Sequence, residues 1–220
     1  MKGRGANTVQ EAAELYAKSL ISVRNQFAEQ YYLSPFGLDL KSFLDRQQEL
    51  DGDFVADISE KMRTVETGVQ TLVAGVDADN TPHIYSIGGH DEFGQEQLVA
   101  TCLDRRGFAA VGIGARQFET LFMSLGYDTT WKVMEAMLVM YSAKKQAETS
   151  PGVGRFTDMF IIDHDGFRLL SEDSGKVLEM YHRQFIASVE KKRRNTIEKM
   201  KGDTDRLLQV RNQANISWRQ

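Results

Sequence analysis

Residues 71–87 read TLVAGVDADNTPHIYSI, and the interpretation of the whole chain starts from this stretch. Two largely apolar runs, Val69–Val76 and Pro82–Ile87, flank the sequence Asp77-Ala78-Asp79-Asn80. Short acidic and amide side chains bond to their own backbone in tight turns, and runs of this length rich in valine, isoleucine and tyrosine are typical of strands. The stretch therefore predicts a β-hairpin.

Two more pairs of apolar runs follow the same pattern. The flanking runs are 97–103 with 108–113, and 157–162 with 167–170. The intervening turns are Asp104-Arg105-Arg106-Gly107 and Asp163-His164-Asp165-Gly166, which are rich in residues that favour turns. We therefore predict six strands arranged in three hairpins.

Helical periodicity marks the regions before, between and after the hairpins. Thr8 and Glu11 form a capping box that starts a first helix. Polar helical stretches at 38–50 and 54–62 are expected on the surface, and two apolar-striped helices fall near 118–125 and 133–141. From residue 174 onward the chain is highly charged and helical in propensity, with an interruption expected at Gly202-Asp203.

The order of these elements predicts the fold class and the domain organisation. Hairpins with the helices kept together favour an α+β fold with antiparallel sheets over a strictly alternating parallel fold. We expect a domain over residues 1–172 and a charged helical extension over residues 173–220.

Composition excludes several classes of partner. The net charge of −4 gives no electrostatic reason to expect nucleic acid, and no apolar run approaches the roughly 20 residues that span a bilayer. The single cysteine, Cys102, excludes an internal disulfide and is typical of a reducing compartment, so we expect a cytoplasmic protein with neither nucleic acid nor membrane as partner. We expect Cys102 to be a core thiol.

Several motifs together resemble the proteasome-type N-terminal-nucleophile (Ntn) hydrolase family. The hairpin TLVAGVD…PHIYSI is similar to that family's "LvaGyD" and "PhLYsid" strands, and AVGIGA at 110–115 resembles its "aiGsGs" strand end leading into a helix. Gly126-Tyr127-Asp128 resembles the connector between the family's central helices. TDMFII and Asp165-Gly166-Phe167 are similar to its last hairpin, so the resemblance runs from about residue 3 to residue 170.

The resemblance implies an antiparallel β-sandwich between helical layers, from which several strands are missing. The six predicted strands match the family's last six, and its first four strands are absent, because the chain opens on the loop before the first helix. The family's nucleophile is an N-terminal threonine, assisted by a lysine and an aspartate, and all three lie on the absent strands. Neither Met1 nor the helix cap Thr8 replaces that threonine, so we expect the chain as given to be inactive.

Some supporting residues of the family's site carry over to this sequence. Gly3, with Asn7 four residues on, matches the glycine whose amide stabilises the oxyanion, although two glycines before a capped helix also simply permit a turn. Gly112 and Gly114 match the family's G-S-G, but Ile113 stands at its serine. In the position of the family's Asp-x-x-Ser, Ser150 is kept and the aspartate is replaced by Ala147.

These observations leave three functions open. The chain is a proteasome-like threonine peptidase subunit without its nucleophile strands, or a non-catalytic assembly protein on the same scaffold, or an unrelated α+β binding module. The resemblance implies a ring-type homo- or hetero-oligomer, with a peptide substrate only if the missing strands are supplied. No cofactor is implied, and the four histidines have no metal-ligand spacing, so no metal is expected.

Overall fold

The first helix, α1 (Val9–Ala28), begins where its capping residues predict. The computed structural model describes residues 5–92 and 94–203. Thr8 Oγ1 accepts the Glu11 N–H at 3.1 Å, which is the hydroxyl half of the capping box. The Glu11 carboxylate accepts from Asn7 N at 2.7 Å, one residue earlier than a capping box requires.

A three-stranded antiparallel sheet lies beneath α1. Its strands are β1 (Thr71–Val76), β2 (Pro82–Ile87) and β3 (Thr101–Cys102), in the order β1-β2-β3. Small residues on α1 allow the helix to approach the sheet closely, and together the two elements bury Ala13, Ala17, Leu20, Tyr85, Ile87 and Leu98. The predicted first hairpin is confirmed.

The segment after α1 forms a small helical unit with a core of its own. It contains a π-helical turn (Glu29–Leu33), a 3₁₀ turn (Ser34–Phe36), α2 (Leu40–Asp45) and α3 (Gly52–Arg63). Its buried side chains are Leu33, Leu38, Phe43 and Ile58. The unit therefore buries its own apolar residues, where the sequence led us to expect helices lying across the surface.

Helices α4 (Ala115–Ser124) and α5 (Val133–Ala147) pack against each other, and Phe122 of α4 is buried in one cluster with Val139 and Ala143 of α5. Phe122 is the centre of this cluster, with ring centroids 4.8 Å from Phe118 and 4.9 Å from Phe108. Tyr127, in the connector between the two helices, lies edge-on to Phe122 at 5.0 Å. Aromatic contacts thus hold both the preceding segment at Phe108 and the connector at Tyr127 against α4.

The last hairpin and a long helix complete the described chain. Strands β4 (Phe160–Asp163) and β5 (Gly166–Leu169) pair with each other, and β4 contacts β1. Helix α6 (Glu172–Gly202) packs on α5 and ends at Gly202, as the sequence predicted. Within residues 5–92 and 94–203, no helix is long and apolar enough to cross a membrane.

The prediction of six strands is wrong, because the described residues form five. Residues 108–113 contain no strand, and β3 is only two residues long. Phe108 stacks on Phe122, and Gly107 and Gly112 adopt left-handed φ angles of 69° and 89°. The segment therefore follows the aromatic cluster of α4 and α5, so its backbone cannot pair along β3. The fold is α+β, with two small antiparallel sheets and a long C-terminal helix.

Candidate functional site

Residues 110–115, here called the glycine loop, form a pocket with the end of α5. The pocket has a volume of about 400 Å³ and is lined by Gly112, Ile113, Gly114, Ala147 and Val153, among others. Segments 110–115 and 147–154, which are separated in sequence by two helices, thus meet at one place. This is where the sequence predicted supporting residues of a site.

Gly112 and Gly114 are each required at their positions, for different structural reasons. Gly112 adopts a φ of 89°, which L side chains rarely adopt, and its carbonyl accepts the Ala115 N–H at 3.0 Å in the turn that starts α4. A Cβ on Gly114 would lie 2.8 Å from the Ala147 Cβ and 3.1 Å from Val153 Cγ2. Gly114 therefore permits the loop to touch the end of α5.

The predicted site residues meet only in part. Gly112 and Gly114 both line the pocket. Ser150 lies just beyond α5 and is 7% exposed, and its N–H donates to the Ala147 carbonyl at 2.9 Å. Its Oγ has no hydrogen-bond partner among the described residues, and Ser150 is not one of the residues lining the pocket. Gly3 lies outside the described residues.

Ile113 is exposed at the mouth of the pocket. Its side chain is 71% exposed, and its Cδ1 would lie 3.3 Å from a Cβ on Gly152. A hydrocarbon side chain offers no hydroxyl at this position, whatever its exposure. The pocket therefore presents an apolar contact where the resemblance implies a serine.

Sequence reasoning missed the ion pair at the pocket, formed by Lys144 and Glu148. Lys144 lines the pocket, donates to the Gly154 carbonyl at 3.0 Å and pairs with the Glu148 carboxylate. Burial works to raise the pKa of Glu148, but hydrogen bonds from Lys144 and Lys145 outweigh it and hold that pKa below its ordinary value. The i, i+4 spacing of the pair on a predicted helix was the available signal.

The contacts of this ion pair limit its chemistry. The Lys144 amine is engaged by the Glu148 carboxylate and by the Gly154 carbonyl. Its remaining role at the pocket is to fix the 152–154 turn against α5. The pocket is therefore shaped for an apolar group, with backbone amides nearby, rather than for a nucleophile.

A serine and a histidine lie together in the contact between α5 and α6. Ser142 Oγ donates to the Leu138 carbonyl at 2.8 Å, so at 2.9 Å it accepts the N–H of His182 Nδ1. Ser142 is buried, and burial lowers the pKa of His182. The imidazole donates to the serine and cannot take its proton through this contact. The pair fastens the two helices together rather than activating a nucleophile.

The end of the first hairpin is fastened to α1 by His83 and two aspartates. Asp77 Oδ1 accepts the Val9 N–H at 2.7 Å at the start of α1. His83 Nδ1 lies 2.6 Å from Asp104 Oδ2, and its Nε2 lies 3.6 Å from Asp77 Oδ2. The hydrogen bond to Asp104 and both nearby carboxylates raise the pKa of His83. This arrangement is a structural clamp between the hairpin and the helix.

Two remaining predictions concern Cys102 and metal binding. Cys102 is exposed, so the expectation of a core thiol is wrong, because no strand within the described part of the chain pairs with the outer side of the two-residue strand β3. Ligand atoms of Asp163, His164 and Asp165 lie within 4.8 Å of one another in the β4–β5 turn. Asp163 already pairs with Arg168, and we assign no metal to this turn.

Comparison with known proteins adds no family to this picture. The sequence matches none of the protein-family models against which it was scanned, and none of the curated proteins with which it was compared.

Proposed function

We propose that this chain is a subunit of a proteasome-type Ntn-hydrolase-like assembly, in which it supplies scaffold and contact surfaces rather than the reacting groups. The observation that carries the proposal is the meeting of the glycine loop with the end of α5. Gly114 and Ala147 approach so closely that a Cβ on Gly114 would lie 2.8 Å from the Ala147 Cβ. Such a loop, leading directly into a helix and backed by the next one, fits the resemblance.

The proposed sandwich of that family would cover surfaces that are open here. The β4–β5 hairpin exposes Phe160 by 52% and Phe167 by 73%. Among the described residues, each strand of this sheet has one hydrogen-bonded neighbour, and β1 pairs with β2 alone. Open edges beside apolar faces favour pairing with further strands, either of the same sandwich or of a neighbouring subunit.

A non-catalytic role is the version of the proposal that the pocket favours. Ile113 stands where the resemblance implies a serine, and Lys144 is held by Glu148. Ser142 is buried and accepts a hydrogen bond from its histidine. A peptidase role would need the threonine, lysine and aspartate that the resemblance assigns to further strands.

The test combines an assembly measurement with an activity measurement on the purified chain. We expect sedimentation velocity to detect self-association of the chain, or a hydrophobic dye to bind to it. Phe167→Ser should reduce whichever of the two signals is observed. Met134→Ser is the matched control, because Met134 is a similarly exposed apolar residue on α5, away from the hairpin. A monomer at all concentrations that binds no dye would contradict the assembly role.

The activity measurement separates the two versions of the proposal. We expect no hydrolysis of fluorogenic peptides by the 220-residue chain. Hydrolysis that co-purifies with the chain and is lost in Gly114→Ala would overturn the non-catalytic version and favour a peptidase, since Gly114 shapes the pocket that the resemblance assigns to the site.

A further inference from the structure

We propose that the distal half of α6 binds the helical unit of residues 29–63 on a second copy of this chain. We call residues 186–202 the basic arm and residues 29–63 the acidic module. The inference rests on the proposed assembly role, and it names the partner and the two surfaces that meet.

The basic arm has a net positive charge, whereas the chain as a whole has a net negative charge. It contains six basic and two acidic residues, although the whole chain has a net charge of −4. Its two acidic residues are used locally, because Glu190 pairs with Arg194 at 3.8 Å and Glu198 pairs with Lys201 at 2.7 Å. Lys191, Lys192, Arg193 and Lys199 form no ion pair with other described residues. Four positive charges are therefore uncompensated.

The arm also has an apolar seam. Ile186, Val189 and Ile197 recur at helical spacing on one face of α6, and each is between 41% and 46% exposed. Lys192 and Lys199 flank this seam, seven residues apart. Among the described elements, α6 packs only on α5, whose contacts with it lie around Glu179 and His182. The seam also carries Arg193, and its first residue, Ile186, lines a small pocket with Lys145 of α5. Val189 and Ile197, farther along the arm, are exposed on a helix that packs on no described element other than α5.

The acidic module has the complementary properties. It contains eight acidic and four basic residues, so its net charge of −4 balances the net charge of +4 on the arm. Asp53 and Glu60 lie on the exposed face of α3, seven residues apart, and form no ion pair with other described residues. Tyr31, Phe36 and Leu44 give the module exposed apolar surface, between 57% and 69% exposed.

The spacing of the charges supports a direct match. Seven residues of helix rise about 10.5 Å, so Lys192 with Lys199 and Asp53 with Glu60 present charges at the same separation. Two aligned helices can therefore pair both charges while burying the seam of the arm. Opposite potentials on two surfaces steer association and fix its register.

The occupant is a second copy rather than the same chain. The module packs on α1 and the arm extends from α5, and the two do not touch among the described residues. Two arms would repel each other, as would two modules, which excludes a symmetric contact of either surface with itself. A contact between different surfaces is either reciprocal, giving a two-fold dimer with two arm–module contacts, or head-to-tail, closing into a ring or growing into a filament.

Charge reversal on each surface tests the inference. We expect Lys192→Glu with Lys199→Glu to weaken self-association of the full chain by roughly tenfold or more in sedimentation velocity. Asp53→Lys with Glu60→Lys should do the same, and circular dichroism confirms that the variants fold. The control is the single reversal Lys191→Glu, compared with Lys192→Glu alone. At 3.6 residues per turn Lys191 lies on the side of α6 away from the seam, so its reversal should leave association unchanged.

The decisive measurement mixes the two reversed proteins. Each one alone should associate weakly, and the equimolar mixture should recover wild-type association, because each arm then meets a module of opposite charge. Failure of the mixture to recover would overturn the inference, as would equal weakening by Lys191→Glu and Lys192→Glu. Binding of the arm to phosphatidylserine-containing vesicles, with self-association unaffected by the reversals, would also overturn it and would indicate a membrane partner.

These outcomes are distinguishable from failure of the proposed function. A chain that associates normally in every charge variant contradicts only the arm–module contact and leaves the assembly role in place. A chain that is monomeric at all concentrations and binds no hydrophobic dye contradicts the assembly role itself.

Discussion

The first and last hairpins of this protein share one sequence pattern, two apolar runs around an aspartate-containing turn, but lie in opposite environments. The β1–β2 hairpin lies under α1, and Ile87 is 1% exposed. The β4–β5 hairpin has no helix over its faces among the described residues, and Phe160 and Phe167 are largely exposed. Apolar strands of this kind are stabilised by what covers them, so the difference locates the part of the chain that needs a partner.

The largest effect should come from truncating one apolar side chain in each hairpin. Ile87→Ala removes buried hydrocarbon and should lower the free energy of unfolding by about 2–5 kcal/mol. Phe167→Ala, on the open hairpin, should change it by less than about 0.5 kcal/mol in the isolated chain. Chemical denaturation measures both. A large loss for Phe167→Ala would mean that the last hairpin is covered in solution.

The glycine loop should behave like the covered region. A Cβ at position 114 would press on Ala147 and Val153, so Gly114→Ala should lower the free energy of unfolding by about 1–3 kcal/mol. Gly154→Ala is the control, because a Cβ there meets nothing within 4 Å. Thermal and chemical denaturation would check the pair. Equal stability of the two variants would show that the loop does not contact α5.

The clamp between the first hairpin and α1 should give a smaller loss. Asp77→Ala removes the acceptor of the Val9 N–H and one carboxylate beside His83, and should cost about 1–2 kcal/mol of unfolding free energy. Asp165→Ala, in the open turn of the last hairpin, should cost much less. If both variants lose the same stability, Asp77 does not fasten the helix to the sheet.

The smallest effect should be a pH dependence of the free energy of unfolding, which arises from His83 in the covered hairpin. Asp104 and Asp77 raise the pKa of His83 in the folded protein. The stabilisation is therefore complete below the unfolded pKa of about 6.5 and is lost as the pH rises through the higher folded value. The stability difference between wild type and His83→Asn should shrink as the pH rises through this window.

The control for this pH dependence is the same substitution in the Asp104→Asn background. Without the carboxylate at 2.6 Å, the main cause of the raised pKa is gone, so the pH dependence of the difference should be greatly reduced. Urea denaturation at several pH values would measure it. A difference that grows with pH would contradict the assigned sign.

Local signals predicted the elements well where contacts are close in sequence. The Thr8 cap, the first and last hairpins, the α4–α5 pair and the end of α6 at Gly202 follow from turn residues, caps and periodicity. The prediction of a strand at 108–113 was wrong because Phe108 stacks on Phe122 of α4, and no local sequence pattern reveals that contact. The prediction that Cys102 is buried was wrong for a related reason, since a strand at 108–113 would have covered it.

The candidate site was predictable only as a set of residue types. Gly112, Gly114, Ala147 and Ser150 were identified by motif, but the meeting of Gly112, Gly114 and Ala147 at one pocket required the packing of α4 against α5, and Ser150 does not line that pocket. The ion pair of Lys144 with Glu148 and the hydrogen bond of Ser142 with His182 depend on side chains facing each other in three dimensions. Sequence spacing indicates a helix face, but it does not say what lies opposite.

The sequence by itself determined the α+β class, the first and last hairpins, the Thr8 cap of α1 and the charge contrast between the acidic module and the basic arm. These follow from backbone preferences and from composition, which act over a few residues. Only the tertiary structure decided that the first hairpin is covered while the last is open, and that the glycine loop closes on α5. Burial depends on which surfaces, far apart in the sequence, come into contact. The free energy gained when those surfaces leave water is therefore not a property of any single segment.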